Sequence, residues 1–178
     1  MGDTRRRRLE ERIARELLLA LLLLGLAVVQ TALLPRPLQV PFNLLLLLTV
    51  CQSLVAGPSS AARWAFYGGL GLDICANQTL GTHALALLAA VLLADLPLAH
   101  LSRDNWLLPL GGVLFGALAY HAVLLLLLSA LVAPIDARVY AATTLLPDAV
   151  STLIPALPVF LVIRWLRYRR HEVPIDVY

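Results

Sequence analysis

The sequence predicts an all-α fold: a polytopic membrane helix bundle of six transmembrane helices, with both termini cytoplasmic. Three observations predict it. Apolar side chains make up 60% of the 178 residues and charged ones only 14%, against close to half and about a quarter in a soluble domain. The apolar residues fall in runs near the about 20 residues that one span requires, separated by proline, glycine and polar clusters. The arginines flank these runs almost entirely from one side. This composition excludes a soluble globular domain and a disordered chain alike. Six spans use about 120 residues, which leaves only short loops and no room for a second folded domain.

Residues 1–16 form a polar, basic cytoplasmic segment with Arg5 to Arg8, Arg12 and Arg15, and with Glu10, Glu11 and Glu16 interleaved at helical spacing. The single transmembrane domain covers residues 17–166. Its first span, 17–34, is too long for a signal-peptide core and lacks a small-x-small cleavage site. At about 1.5 Å per residue it reaches about 27 Å, enough to cross. Pro35, Pro37 and Pro41 force an extended turn. The second span, 42–56, is short, and Gly57 to Ser60 break it. The third, 62–75, ends at the polar tip Asn77, Gln78 and Thr79. Gly81 separates it from the fourth, 82–101. His100, Arg103, Asp104 and Asn105 make the next loop, and the fifth span runs over 106–132. Residues 134–138 turn the chain into the sixth, 141–166, which Pro147, Pro155 and Pro158 interrupt. The cytoplasmic tail, 167–178, is polar and expected to be loose.

The positive-inside rule sets the orientation. With the N-terminus inside, twelve arginines lie on the inner side and only Arg36 and Arg138 on the outer side. Trp64, Trp106 and Trp165 stand beside inner arginines, as an interfacial belt requires. With the basic residues at span flanks, the net charge of +3 points to anionic lipid and topology, not to nucleic acid. Cys51 and Cys75 lie in apolar stretches and read as small buried hydrophobes.

Ionisable groups inside spans are the first functional suspects, because charge in lipid is costly. Asp73 is the strongest. It follows Gly68, Gly69 and Gly71, which strip side chains from the helix and admit a neighbouring backbone. Asp73 either binds a cation, a proton or a ligand, or it hydrogen-bonds a neighbouring helix or caps the fourth one. Asp148 follows Pro147 and reads as a polar site or as a local N-cap. Asp95 reads as an interfacial or arginine-paired residue. His83 opens the fourth span and His121 lies deep in the fifth; each reads as a satisfied bundle residue. Gly112 and Gly116 form a G-x-x-x-G step that supports close helix contact, within the chain or with a partner. No spacing suggests a metal or cofactor, and no phosphate-binding loop, H-E-x-x-H, C-x-x-C or G-x-S-x-G stands in the sequence. The expectation is therefore of no catalytic residues.

The stretch from Gly68 through Gly69, Leu70, Gly71 and Leu72 to Asp73, followed by Leu80, Gly81, Thr82, His83, Ala84 and Leu85, resembles the MreD family of bacterial rod shape-determining membrane proteins. Gly69, Leu70 and Asp73 give the family's G-L-x-x-D element, and Leu80 to Leu85 its L-G-x-x-A-L element. The resemblance implies a non-enzymatic scaffold of the cell-elongation machinery in the bacterial inner membrane, which builds side-wall peptidoglycan. It implies MreC, a single-span protein with a large outer domain, as partner, with MreB, RodA and a penicillin-binding transpeptidase in the same assembly. It further implies a fold similar to the S component of vitamin transporters. A transport subunit is thus the runner-up, with Asp73, Asn77, His83 and Asp148 lining an outward cavity. An intramembrane hydrolase using Asp73 and Asp148 as a paired dyad is the third reading. In the scaffold reading, Gly68, Gly71, Gly112 and Gly116 are the faces where a partner helix would dock, and Gly81 and Asp73 are architectural.

Overall fold

The computed structural model describes residues 3–33, 42–94, 107–131 and 135–171, with side chains for 10–32, 42–94, 107–131 and 135–169. Among them the chain is helical throughout, without strands. Helix α1 (Asp3–Val28) passes into a single π turn (Val29–Leu33). It is followed by α2 (Leu44–Ala56), α3 (Pro58–Cys75), α4 (Thr82–Ala94), α5 (Leu107–Leu131), α6 (Ala137–Leu153) and α7 (Ala156–His171). A second π turn, Ala141–Leu145, lies within α6.

Among the described residues, two helices are long and apolar enough to cross a membrane, Glu10–Ala32, which takes in most of α1 and its π turn, and Leu107–Leu131. A third qualifies when α6 and α7, bent by 50° at their junction, count as one span. Helices α2 and α4 are apolar but only 13 residues each. The fold is thus all-α, as the composition predicts, with two or three candidate membrane-spanning helices among the described residues.

Local chemistry explains the boundaries. The break expected over residues 57–60 is in fact one residue wide. Gly57, at φ +88°, caps the end of α2 and the start of α3 together. Pro58 follows at the first helical position, where its missing N–H costs nothing and its fixed φ suits a helix. Of the three prolines expected to interrupt the last span, only Pro155 falls at a break. Pro158 sits in the first turn of α7, and Pro147 follows directly on the π turn, where the regular ladder is already interrupted. The final helix continues through His171, so the first residues of the expected loose tail are helical. Asp95, His100, Arg103 and Trp106 lie outside the described residues.

Glycines set the packing, and their partners belong to this same chain. On α3, a Cβ at Gly68 would stand 3.0 Å from Leu45 of α2, at Gly69 2.2 Å from the Ala84 Cα of α4, and at Gly71 3.2 Å from Ala27 of α1. One glycine-rich helix therefore receives three neighbours. The G-x-x-x-G step of α5 is filled likewise: Gly112 accepts Leu54, and Gly116 accepts Val50, both from α2 and both at 2.7 Å for an added Cβ. These glycine faces were expected to dock a partner helix. They are instead occupied within the bundle, because α2 is short, central and bristles with aliphatic knobs: Leu45, Leu46, Leu47, Val50 and Cys51 have no exposed surface. The opposite extreme is α1, which fully buries only Leu23 and Ala27 among its described side chains and exposes Leu17, Leu18, Leu21 and Leu22.

This packing makes a sharp prediction. Gly69→Ala forces the methyl into the α4 backbone and is expected to cost about 1–3 kcal/mol by overpacking. Gly25→Ala meets nothing within 4 Å and is expected to be neutral or to stabilise by up to about 1 kcal/mol through helix propensity. Unfolding titrations of the detergent-solubilised protein measure both.

Candidate functional site

The end of α3 and the start of α4 form a clamp. Asp73, with no exposed surface, receives the Gly81 N–H on Oδ2 at 2.7 Å and the His83 N–H on Oδ1 at 2.8 Å. The His83 ring adds Nδ1 to Oδ1 at 2.8 Å. A carboxylate oxygen only accepts, so Nδ1 is the donor in this contact. The carboxylate thus caps the N-terminus of α4 from another helix, satisfying two of its orphan amides and facing the positive end of its dipole. Gly81, at φ +96°, makes the approach possible, since only glycine takes that conformation freely. Thr82 closes the turn by donating to the Thr79 carbonyl at 2.7 Å.

A second carboxylate–histidine pair lies between α5 and α6. His121 and Asp148 are each 3% exposed. The His121 Nε2 stands 2.8 Å from Asp148 Oδ2, and its Nδ1 stands 2.9 Å from the Tyr140 hydroxyl. With Nε2–H donating to the carboxylate, Nδ1 is left to accept from Tyr140. Asp148 lies inside α6 and does not cap a helix, so its local N-cap reading is replaced by this pair. Its Oδ1 accepts from Thr152 at 3.4 Å, and Thr152 Oγ1 in turn accepts the Asn43 N–H at 3.4 Å. Asn43 is the N-cap of α2 through its Oδ1 and the Leu46 N–H at 3.0 Å. Gln30, in the π turn after α1, donates to Asn43 Oδ1 at 3.2 Å and accepts the Leu45 N–H at 2.9 Å.

Tyr120 joins the two pairs. Its ring stands edge-on to His121 at 5.1 Å, and it leans toward His83 at 6.3 Å between centroids. The result is one polar layer drawn from every helix except α7, at the bundle end opposite the described arginines of α1, α3 and α7. Both π turns border it, one carrying Gln30 and the other following Tyr140. Such single-turn insertions re-aim side chains and gather at functional sites.

Of the expected site residues, Asp73, Gly81 and His83 come together in the clamp, and Gly69 stands one turn before Asp73 on the same helix. Gly68, Gly71, Gly112 and Gly116 serve packing, and Asp148 belongs to the second pair. Asp73 and Asp148 do not form the dyad that a hydrolase would use, because each is engaged by its own histidine. The sequence reading missed Gln30, Asn43, Tyr120, Tyr140 and Thr152; His121 is the satisfied bundle residue it reads as, with Asp148 and Tyr140 as its partners. Asn43 carried a readable signal, an N-cap residue directly before the leucine run. Nothing in spacing could join Asn43 to Thr152, which are 109 residues apart. Among the described residues, no three His, Cys, Asp or Glu side chains group as a metal site would require.

No family model matches this chain, and neither a curated protein nor a solved structure does.

Proposed function

We propose that this chain is a non-enzymatic scaffold of the MreD kind, with six spans and cytoplasmic termini, in a bacterial inner membrane. Its role is to hold an MreC-like single-span partner within the cell-elongation machinery, alongside MreB, RodA and a penicillin-binding transpeptidase. The observation that carries this reading is the clamp. Three residues of the sequence element that resembles MreD have a physical task in it: Gly69 admits Ala84, Asp73 caps α4, and Gly81 makes the turn. Asp73 and Asp148 are hydrogen-bonded by partners within the chain, which suits architecture rather than turnover. The aliphatic stripe of α1, from Leu17 to Leu22, is left for lipid or for a partner's helix. The basic cytoplasmic ends favour anionic lipid.

Purification from native membranes by a tag on the cytoplasmic C-terminus tests this. The expected result is co-purification of a single-span protein with a large outer domain. Recovery of two ATPases and a coupling membrane subunit would overturn it in favour of a transport subunit of S-component type. The outward polar layer is what supports that second reading. A thermal shift on adding vitamins would support it further, and a flat response across a panel would count against it.

A further inference from the structure

At the arginine-bearing end of the bundle, α2, α3 and α7 part around a cleft of about 410 Å³, within the about 300–1,000 Å³ typical of ligand sites. One wall is apolar, made by Ala56, Ile163 and Leu166, with Trp64 beside it. The other is polar. Gln52 Nε2 donates to Ser60 Oγ at 3.4 Å, which leaves the serine hydroxyl proton for another acceptor. Arg167 completes the lining. Its Nη1 donates to the Val55 carbonyl at 2.6 Å. That bond pins the guanidinium at the C-terminal end of α2 and uses one of its five N–H donors. A fixed fork loses less freedom on meeting an anion than a loose one does. No carboxylate lines this cleft.

A neighbouring cleft of about 450 Å³ is lined by Arg12, Arg15, Glu16 and Arg63. It is the poorer candidate: Glu16 already engages Arg63, and no apolar side chain lines it. Of these two clefts among the described residues, the first combines a pinned cation, a hydroxyl and an aliphatic wall with a tryptophan of the kind that marks a membrane interface.

We propose that the cleft between α2, α3 and α7 binds the phosphodiester headgroup of an anionic glycerophospholipid of the inner leaflet, with Arg167 and Ser60 on the phosphate and Ile163 and Leu166 along the acyl chain. This rests on the membrane orientation alone and stands apart from the scaffold reading.

The full chain carrying Trp106→Phe and Trp165→Phe, reconstituted in phosphatidylcholine vesicles, leaves Trp64 as the only tryptophan to report on the cleft. Brominated phosphatidylglycerol is expected to quench Trp64 with about five-fold higher apparent affinity than brominated phosphatidylcholine, the worth of one arginine at an anionic surface. Arg167→Gln should bring that ratio near one, whereas Arg169→Gln, which removes the same charge outside the cleft, should leave it. Unchanged quenching by brominated phosphatidylcholine establishes that the variants keep the fold. Should Arg167→Gln fail to fold, Ser60→Phe, which fills the cleft and retains the guanidinium, should lower the ratio in its place. Equal quenching by the two lipids overturns the proposal. So does an equal loss in Arg167→Gln and Arg169→Gln, which would mean diffuse attraction. So does full displacement by excess inorganic phosphate, which would mean a site for the free anion.

Discussion

Replacing Asp73 by leucine is expected to cost about 3 kcal/mol or more in an unfolding titration of the detergent-solubilised protein. The side chain takes three hydrogen bonds, from the Gly81 amide, the His83 amide and the His83 ring. Leucine accepts none of them, and each buried donor left unmade costs about 1–3 kcal/mol. Asp73→Asn keeps one acceptor oxygen and should lose roughly half as much. In the proposed scaffold role, Asp73→Leu should also lose partner capture in step with its loss of fold. Normal expression, partner co-purification and rod shape in that variant would sink the architectural role. A loss below about 1 kcal/mol would mean that water reaches the two amides.

His121→Leu is the second large effect. It leaves Asp148, 3% exposed, with the Thr152 hydroxyl at 3.4 Å as its remaining side-chain partner among the described residues. Removing one member of a buried pair typically costs about 3–5 kcal/mol. The double replacement His121→Leu/Asp148→Leu removes the orphaned carboxylate as well, and exchanging a whole buried pair for apolar residues is often close to neutral. The double variant should therefore be more stable than His121→Leu alone, by about 2 kcal/mol or more if that pattern holds. A double variant no better than the single would place the value of His121 in its contacts with Tyr140 and Tyr120. The same titration measures all three proteins.

The sequence made legible whatever local composition encodes. Helical class, the Gly57 break, the Gly81 turn and the importance of Asp73 all came from residue types whose backbone or burial costs are strong. The choice between a ligand-binding Asp73 and a capping one was not legible, because it depends on how closely α4 approaches. Gly69 licensed a close approach but did not say whose backbone would fill the space. The same holds for Gly112 and Gly116: the spacing announces a groove, while the filling knobs, Leu54 and Val50, sit in an unremarkable apolar run. The polar layer was the least legible. Gln30, Thr152 and Tyr140 are ordinary residues until α6 and the turn after α1 bring them to one layer, and two of the three are placed in or beside π turns that carry no sequence signature. The interruption of the last span at Pro155 rather than Pro147 follows from the π turn as well.

Helix α3 also bears on how such a chain is made. It is 18 residues long, yet it is not among the helices apolar enough to cross a membrane by themselves, since it spends its length on Ser59, Ser60, Arg63, three glycines and Asp73. In the six-span topology a segment like this gains little from leaving the translocon alone, because an unpartnered carboxylate in a span is costly. Its Gly71 meets Ala27 of α1, a helix synthesised before it, and its Asp73 is neutralised only when the amides of Gly81 and His83 emerge a few residues later. In that topology the packing couples neighbours: α1 offers the surface that Gly71 meets, and α4 supplies the amides that Asp73 accepts from, so α3 and α4 would be expected to enter as a hairpin.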